Sequence, residues 1–285
     1  MKLGPGDLVL CSGTLAPDVG FRDRVAAAAE GGFAGISLWG RDYRRARDVE
    51  GLSDADIRAL LDDHGLAVAE LDGVWSWTPG ADRTFSPEHD PASFFRYKED
   101  DLYGIGDAVG ARSINAVDVF GGDWGVDAAA EAFAALCDRA SEHGLLVHLE
   151  FLPWSNAPDV ATAWQIVAKA GRPDGGVAVD SWHFFRGTPD WEALRTVPGD
   201  RILGVQLSDG PAEPEGNLIS ATLRERRVPG DGDFDLAQLV ATLRQLHAHA
   251  PLGVEVFSDT LHAVSPQEAA RRAADGTRAL LAATR

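Results

Sequence analysis

The stretch LLVHLE, residues 145–150, carries the pattern that decides the fold. Side chains alternate along a β-strand, so one face of this stretch is entirely apolar, whereas the other carries His148 and ends on Glu150. The pattern recurs in GVAVD (176–180), ILGVQL (202–207) and LGVEV (252–256). In a (β/α)8 barrel the apolar face packs under helices, and the last residue of the inward face lies at the mouth. A doubly wound sheet would bury both faces, so we predict an α/β fold of the barrel type.

Around this stretch, short apolar runs alternate with amphipathic ones, which indicates eight βα units and a parallel sheet. The predicted strands are 7–12, 34–39, 67–72, 113–118, 145–150, 176–180, 202–207 and 252–256. The predicted helices cover about 18–30, 53–64, 91–109, 127–143, 158–170, 190–195, 235–249 and 265–283. No GxGxxG motif follows a strand and no linker divides the chain. We therefore predict a single TIM barrel domain over residues 1–285.

Local signals at the ends of the helices agree with this division. Three residues with oxygen-bearing side chains lie where N-caps are needed: Ser53, Asp127 and Ser265. Two helix-to-strand junctions, LLDDHGLAVAEL (60–71) and RASEHGLLVHLE (139–150), are built alike. In each, the helix ends at His-Gly, so we expect Gly65 and Gly144 to take the left-handed conformation that closes a helix.

Composition excludes several classes of function. The chain has 26 basic and 44 acidic residues, for a net charge of −18, and this charge repels phosphate backbones and anionic lipid. We therefore expect no nucleic-acid partner. No run reaches the roughly 18 apolar residues of a membrane span, and the apolar stretch at the start is too short for a signal peptide, so we expect a cytoplasmic protein. Cys11 and Cys137 show no metal-binding spacing and are expected to be buried thiols. The sequence allows a homo-oligomer and does not specify the oligomeric state.

Four polar residues end the inward faces of the last four predicted strands: Glu150, Asp180, Gln206 and Glu255. Adjacent strands lie about 4.8 Å apart, so these side chains can converge at the mouth. Three carboxylates and one amide oxygen are hard ligands, and they favour one divalent ion, Mn²⁺ or Mg²⁺. The alternative is that some of them pair with arginines of the mouth, with Gln206 only filling space through hydrogen bonds.

Five segments together resemble the xylose-isomerase-like sugar isomerase and epimerase family of TIM barrels, over essentially the full length. The segments are HLEF (148–151), VDSWHFFRG (179–187), VQLSDGP (205–211), RRVPGDGDFD (226–235) and VEVF (254–257). The resemblance implies that Glu150 and Glu255 bind the metal and act as the acid/base pair, and that Asp180 is a further ligand. Many members of the family have a histidine ligand where this chain has Gln206, which leaves the identity of the metal open.

The resemblance also implies residues that contact substrate. His183 matches a histidine that hydrogen-bonds substrate oxygens, and Arg226 or Arg227 matches an arginine that reaches substrate. His148 needs separate treatment, since it shares the inward face with Glu150. It is a candidate general base or a hydrogen-bond partner of that glutamate, and the alternative is a packing residue.

Aromatic residues and two long loops complete the predicted mouth. Four indoles fall at or just past strand ends, where aromatic walls suit the apolar faces of sugars: Trp39, Trp75, Trp124 and Trp154. The longest non-periodic segment, 208–233, is predicted to close over substrate and to bring Arg226 or Arg227 to its oxygens. The second loop, 73–91, contains Trp75, Trp77 and Phe85. The alternative is that both loops are solvated decorations.

The resemblance implies a metal-dependent isomerase or epimerase that acts on a sugar or sugar-like polyol ketone through an enediolate. The first alternative is a lyase or dehydratase of the same fold, which would act on an inosose, a dehydroshikimate or a 3-keto glycoside. A catalytically silent sugar-binding relative is the non-enzyme alternative. The fold also serves an apurinic endonuclease, but the charge of −18 and Gln206 argue against that activity.

Overall fold

Eight parallel strands form a closed barrel in sequential order, which confirms the predicted (β/α)8 fold. The computed structural model describes residues 2–81, 94–119 and 121–284. The strands are β1 Leu8–Leu10, β2 Gly35–Trp39, β3 Ala67–Val74, β4 Ser113–Val117, β5 Leu146–Glu150, β6 Gly175–Asp180, β7 Ile202–Leu207 and β8 Leu252–Val254. Each overlaps a predicted strand. The barrel closes where β1 pairs with β8, with Val9 opposite Gly253.

Eight helices correspond to the predicted ones, and four more are present in the described residues. In chain order the helices are α1 Phe21–Glu30, α2 Gly40–Asp48, α3 Asp54–Asp63, α4 Glu99–Val109, α5 Val126–Ser141, α6 Val160–Ala170, α7 Ser181–Arg186, α8 Trp191–Thr196, α9 Leu218–Thr222, α10 Leu236–Gln245, α11 Asp259–His262 and α12 Pro266–Ala283. Short 3₁₀ turns lie at Ser12–Thr14, Phe94–Arg96 and Gly199–Arg201. Those not predicted, α2, α7, α9 and α11, all follow carboxyl ends of strands, on the side of the barrel mouth.

The helix ends confirm most of the local signals and correct one. The Ser53 and Ser265 side chains accept the backbone N–H of Asp56 and Glu268, and Gly65 and Gly144 have φ of 67° and 69°. The prediction for Asp127 is wrong. Helix α5 begins one residue earlier with Gly125 as its N-cap, so Asp127 lies inside the first turn, where its carboxylate pairs with Lys169.

The two faces of the strands separate as the alternation predicts. Val147 and Leu149 of β5 are fully buried in the layer between barrel and helices, whereas His148 and Glu150 point into the barrel. The register then aligns the strand ends, since Asp180 lies opposite Gln206 and Val117 lies opposite Glu150. This alignment gathers polar side chains at one end of the barrel. Both cysteines are buried free thiols, as expected.

Within the described part of the chain, no helix combines the length and the apolar character needed to cross a membrane.

Candidate metal and acid–base site

Glu150, Asp180 and His183 form the centre of the site at the carboxyl ends of β5 and β6. All three are buried, and one potential ligand atom from each lies within 4.8 Å of the others. His183 Nε2 is 3.4 Å from Glu150 Oε1 and 3.5 Å from Asp180 Oδ2. Asp180 ends β6 and also caps α7, because its Oδ1 accepts the Trp182 N–H at 2.7 Å. The short helix α7 thereby turns His183 back over the two carboxylates.

Arg226 joins the carboxylates of β6 and β8. Its Nη1 donates to Asp180 Oδ2 at 2.7 Å and to Glu255 Oε2 at 3.2 Å, and its side chain is only 2% exposed. The Nε group is held by the Thr222 carbonyl at the end of α9, at 3.1 Å. A buried guanidinium thus partly balances the acidic groups of the mouth, and Glu255, one residue beyond β8, belongs to the same cluster as Asp180.

Gln206 and Glu255 each keep a buried oxygen that accepts no hydrogen bond from any described residue. Buried acceptors without donors are rare in folded proteins because they lose the hydrogen bonds of water. Gln206 lies opposite Asp180 in the strand register, and Glu255 shares the guanidinium of Arg226 with Asp180. Hard oxygen ligands from Glu150, Asp180, Gln206 and Glu255 suit a divalent cation, so the residues present fit the ion that the sequence predicts.

The protonation equilibria of the site show how much negative charge is crowded there. Burial, with repulsion from Asp180 and Asp72, raises the pKa of Glu150 well above its usual value. Burial also raises the pKa of Glu255, although Arg226 opposes the shift. Burial and the neighbouring Glu70 raise the pKa of Asp72 to about 7. Such a cluster is stabilised by a cation that desolvated carboxylates can share.

Sequence reasoning missed three residues that complete this cluster: Glu70, Asp72 and Asn115. Asn115 Nδ2 donates to Glu150 Oε2 at 2.6 Å and to Asp72 Oδ1 at 3.0 Å. The signal was present, since Glu70 and Asp72 alternate with apolar residues in the predicted strand 67–72 just as the later polar residues do. The alternation of apolar and polar side chains was used to find inward-facing polar residues only in strands five to eight, so those of strands three and four were missed.

His148 lies deeper in the barrel than Glu150, about 7 Å below it for two residues of strand. It is fully buried, and its ring nitrogens face Glu70 Oε2 at 3.1 Å, Asn115 Oδ1 at 3.2 Å and Ser113 Oγ at 3.2 Å. Asn115 therefore connects His148 to Glu150. Within the described residues His148 thus reaches Glu150 through Asn115 rather than by the predicted direct hydrogen bond.

A cavity of about 120 Å³ opens above the cluster. Glu150, His183, Arg226 and Glu255 line it, together with two of the four predicted indoles, Trp39 and Trp154. Trp154 also meets the His183 ring edge to face, with ring centres 5.4 Å apart. An apolar wall on either side of polar groups suits a small polyhydroxylated ligand.

The other two indoles do not line this cavity. Trp75 is 1% exposed and packs with Val117 and Leu152, and its Nε1 donates to the Phe95 carbonyl at 3.1 Å. Trp124 is partly buried against the helix layer, with its ring 6.3 Å from that of Trp77. Their position near strand ends was correct, but it does not decide which way the rings turn.

The structure describes the whole of the predicted loop 208–233 but only part of the predicted loop 73–91. Segment 208–233 contains α9, and paired backbone hydrogen bonds between Asp209 and Arg227 tie its two ends together at 2.8 Å. Asp209 also accepts backbone N–H groups of Gly210, Gly230 and Phe234. Most of loop 73–91, including Phe85, lies outside the described residues. Trp77, at the start of that loop, is a core residue whose Nε1 donates to the Val117 carbonyl at 2.9 Å.

The side chains of Arg226 and Arg227 differ in burial, since that of Arg226 is buried and that of Arg227 is exposed. The Arg227 side chain is 45% exposed and lies 3.9 Å from Asp233, a surface contact. On the predicted role of Arg226 in contacting substrate, replacing it by Ala should raise KM or lower kcat by about 10- to 100-fold, the cost of losing one charge-assisted hydrogen bond. Arg227→Ala is the matched control and should change neither by more than about threefold, since exposed pairs contribute little. Steady-state kinetics of both variants checks this, and equal effects would contradict it.

The chain is a TIM barrel whose mouth carries buried carboxylates. It belongs to the xylose isomerase-like TIM barrel family, whose sequence model matches residues 25–280. This confirms the resemblance drawn from the motifs.

Individual relatives include several enzymes. A 3-dehydroshikimate dehydratase of Pseudomonas putida is 32% identical over 147 residues, which cover 51% of this chain and 22% of that protein. An inosose isomerase of Bacillus velezensis is 28% identical over 154 residues, covering 53% of this chain and 54% of the isomerase. The matched segments thus span between about a fifth and a half of these curated relatives. Among solved structures, a zinc-bound IolI protein superposes with a TM-score of 0.83 at 18% identity, covering 98% of this chain and 99% of that one.

Proposed function

We propose that the chain is a divalent-metal-dependent enzyme that removes the proton next to the carbonyl of a sugar-like polyhydroxylated ketone. The observation that carries this proposal is the buried convergence of Glu150, Asp180 and His183 within 4.8 Å, beside the donor-free oxygens of Gln206 and Glu255. Glu150, Asp180, Gln206 and Glu255 would hold the ion. The chemistry that such an ion supplies is stabilisation of the negative charge that develops on the carbonyl oxygen.

The proton transfer is assigned to the two glutamates. Glu150 comes from β5 and Glu255 from the end of β8, so a ligand bound between them presents different faces to the two carboxylates. Asn115 holds Glu150 Oε2, which leaves Oε1 for the substrate proton.

Three other groups bind and orient the substrate in this proposal. Burial lowers the pKa of His183 to about 4, so its imidazole is neutral near pH 7 and can hydrogen-bond a hydroxyl without adding charge. Arg226 supplies donors in a fixed geometry from the base of the cavity. Trp39 and Trp154 pack on the apolar faces of the ring and exclude water.

The relatives favour two fates for the enolate. Return of the proton to the opposite face, or to the neighbouring carbon, gives epimerisation or isomerisation, as the inosose isomerases suggest. In dehydration the α C–H bond breaks, its proton goes to a carboxylate, and the β-hydroxyl takes up a proton and leaves as water. The 32% identical dehydratases favour this second fate, and we place it first for this chain.

The direct test is a panel of 3-dehydroshikimate, inososes, ketoses and 3-keto glycosides, each incubated with the Mn²⁺-loaded protein. Dehydration is followed by the ultraviolet absorbance of the conjugated product, and isomerisation or epimerisation by NMR of the sugar carbons. We expect turnover of a cyclic polyhydroxy ketone, abolished by chelation and restored by Mn²⁺. Tight binding of a panel member without turnover would instead identify a sugar-binding relative and overturn the assignment as an enzyme.

A further inference from the structure

The side-chain amide of Gln206 can meet a neighbour with either of two different ends, an acceptor oxygen or a donor nitrogen. A metal ion binds only the oxygen, so the orientation of the amide decides whether Gln206 can serve as a ligand. Gln206 is 1% exposed, so bulk water does not fix this orientation, and the protein groups packed against the amide can do so.

Glu70 is the group that contacts the nitrogen end. Gln206 Nε2 donates to Glu70 Oε1 at 2.9 Å, across the barrel from β7 to β3. An ionised carboxylate only accepts hydrogen bonds, so it cannot pair with the amide oxygen. With Nε2 engaged in this way, the oxygen points away from Glu70, and it is the atom left without a donor in the described structure.

Glu70 is itself held in place from its other side. Its second oxygen, Oε2, lies 3.1 Å from Nε2 of the fully buried His148. The Nδ1 atom of that ring faces Asn115 Oδ1 at 3.2 Å, and both N–H bonds of Asn115 go to the carboxylates of Asp72 and Glu150. One continuous chain of hydrogen-bond contacts therefore runs through the barrel interior from Gln206 to Glu150.

The mechanism above uses neither Glu70 nor His148. Burying a carboxylate and an imidazole in a barrel interior is costly unless they are fully paired, and an apolar filling would serve packing equally well. The contacts they make lead to two of the four residues assigned to the ion, directly to the Gln206 amide nitrogen and through Asn115 to Glu150. This placement points to a role in orienting ligands.

We propose that Glu70 is a positioning residue that fixes the Gln206 amide with its oxygen toward the metal site, and that His148 and Asn115 hold Glu70 for this purpose. The proposal rests on the proposed metal-dependent function, because it concerns how one ligand of that metal is presented. It explains how an amide can replace a histidine ligand at this position without losing its orientation.

The test is a double-mutant cycle on Mn²⁺ affinity, measured by isothermal titration calorimetry and by the electron paramagnetic resonance signal of free Mn²⁺. Glu70→Gln should weaken Mn²⁺ binding about 10- to 100-fold, because a neutral amide in place of the Glu70 carboxylate lets Gln206 turn either way. In the Gln206→Glu background the same replacement should cause no loss, because the amide introduced by Glu70→Gln can then donate to the new carboxylate. Equal losses in both backgrounds, or no loss in the first, would overturn the proposal.

The matched control is Glu99→Gln, another buried glutamate, which lies in α4 and pairs with Arg139 at 2.7 Å. It should lower stability without changing Mn²⁺ affinity, and a comparable loss of affinity would show that Glu70→Gln acts only through stability. If Glu70→Gln alone does not fold, the Glu70→Gln, Gln206→Glu double variant is measured instead. It keeps one amide donor and one carboxylate acceptor at the same contact. Its Mn²⁺ affinity should equal or exceed that of the wild type, and a loss of more than about tenfold would overturn the proposal.

The cycle also separates this inference from the function on which it rests. A wild-type protein that binds no Mn²⁺ would contradict the proposed metal-dependent function itself. Wild-type binding with an unchanged Glu70→Gln variant contradicts the positioning role alone.

Discussion

Glu150→Gln is expected to lower kcat on the true substrate by about 10²- to 10⁴-fold, the usual contribution of a general base. Gln keeps the size of Glu and one oxygen for the ion, but it cannot accept the substrate proton. Substrate affinity should therefore fall much less than kcat, as for an interaction made mainly in the transition state. Glu255→Gln should behave in the same way. Steady-state kinetics with the best substrate of the panel measures both effects.

Glu142→Gln provides the control for this pair, because Glu142 caps the exposed end of α5 just before the strand that carries Glu150. It should leave kcat and KM unchanged. Near-normal turnover of both Glu150→Gln and Glu255→Gln would mean that the base lies elsewhere, and His148 would be the next residue to test.

Asp180→Ala is expected to remove stoichiometric metal binding. Loss of a hydrogen-bond partner of a metal ligand typically costs about 10- to 100-fold in metal affinity, so loss of a ligand itself should cost more than about a hundredfold. Asp180 is fully buried between His183 and Arg226, and its loss also leaves Arg226 with Glu255 as its remaining carboxylate partner. Metal content after dialysis, measured by mass spectrometry, checks this result.

Asp138→Ala is the control for the loss of an aspartate. Asp138 pairs with Arg172 on the surface, where its side chain is 55% exposed, so its removal should leave metal content unchanged. An Asp180→Ala protein that retains one equivalent of Mn²⁺ would show that Asp180 is not a ligand.

The strands of the barrel could be predicted closely because the residues of their two faces alternate in the sequence. In β5, apolar residues pack under helices while His148 and Glu150 face inward, and the period of two is unmistakable over five residues. The helices α7, α9 and α11 were not predicted, because four to six residues give a 3.6-residue period little room to show, although α8, also of six residues, was predicted. Helix α2 reads GRDYRRARD, a mostly charged stretch in which the buried apolar side consists of little more than Tyr43 and Ala46.

The site was predicted where backbone position alone decides it. A residue that ends an inward face lies at the mouth, which is the basis for the prediction of Glu150, Asp180, Gln206 and Glu255. In the structure Glu150 and Asp180 approach each other, Gln206 lies opposite Asp180 in the register, and Glu255 shares Arg226 with Asp180. The direction of long side chains depends on contacts that are distant in sequence. Arg226 and Arg227 are neighbours with opposite environments, because one reaches Asp180 and Glu255 while the other faces solvent.

Contacts between residues distant in sequence also decide which indoles line the cavity and which polar side chains pair inside the barrel. Trp75 and Trp124 lie near strand ends, as Trp39 and Trp154 do, but packing against core residues turns them away from the cavity. The pairing of Gln206 with Glu70 joins residues 136 positions apart, and no local pattern specifies such a contact. The strand pattern can predict that both residues face inward, but only the folded structure shows that they hydrogen-bond to each other.

The most direct test of a metal-dependent enolising site is exchange of the substrate's α-proton with heavy water, followed by NMR or mass spectrometry of the recovered ketone. It reports the shared first step whether the product is an epimer, an isomer or a dehydrated compound. We predict incorporation of one deuterium next to the carbonyl, or its appearance in the product, with Mn²⁺ present and none after chelation. Absence of exchange and of product at saturating Mn²⁺, across the whole panel of ketones, would contradict the account.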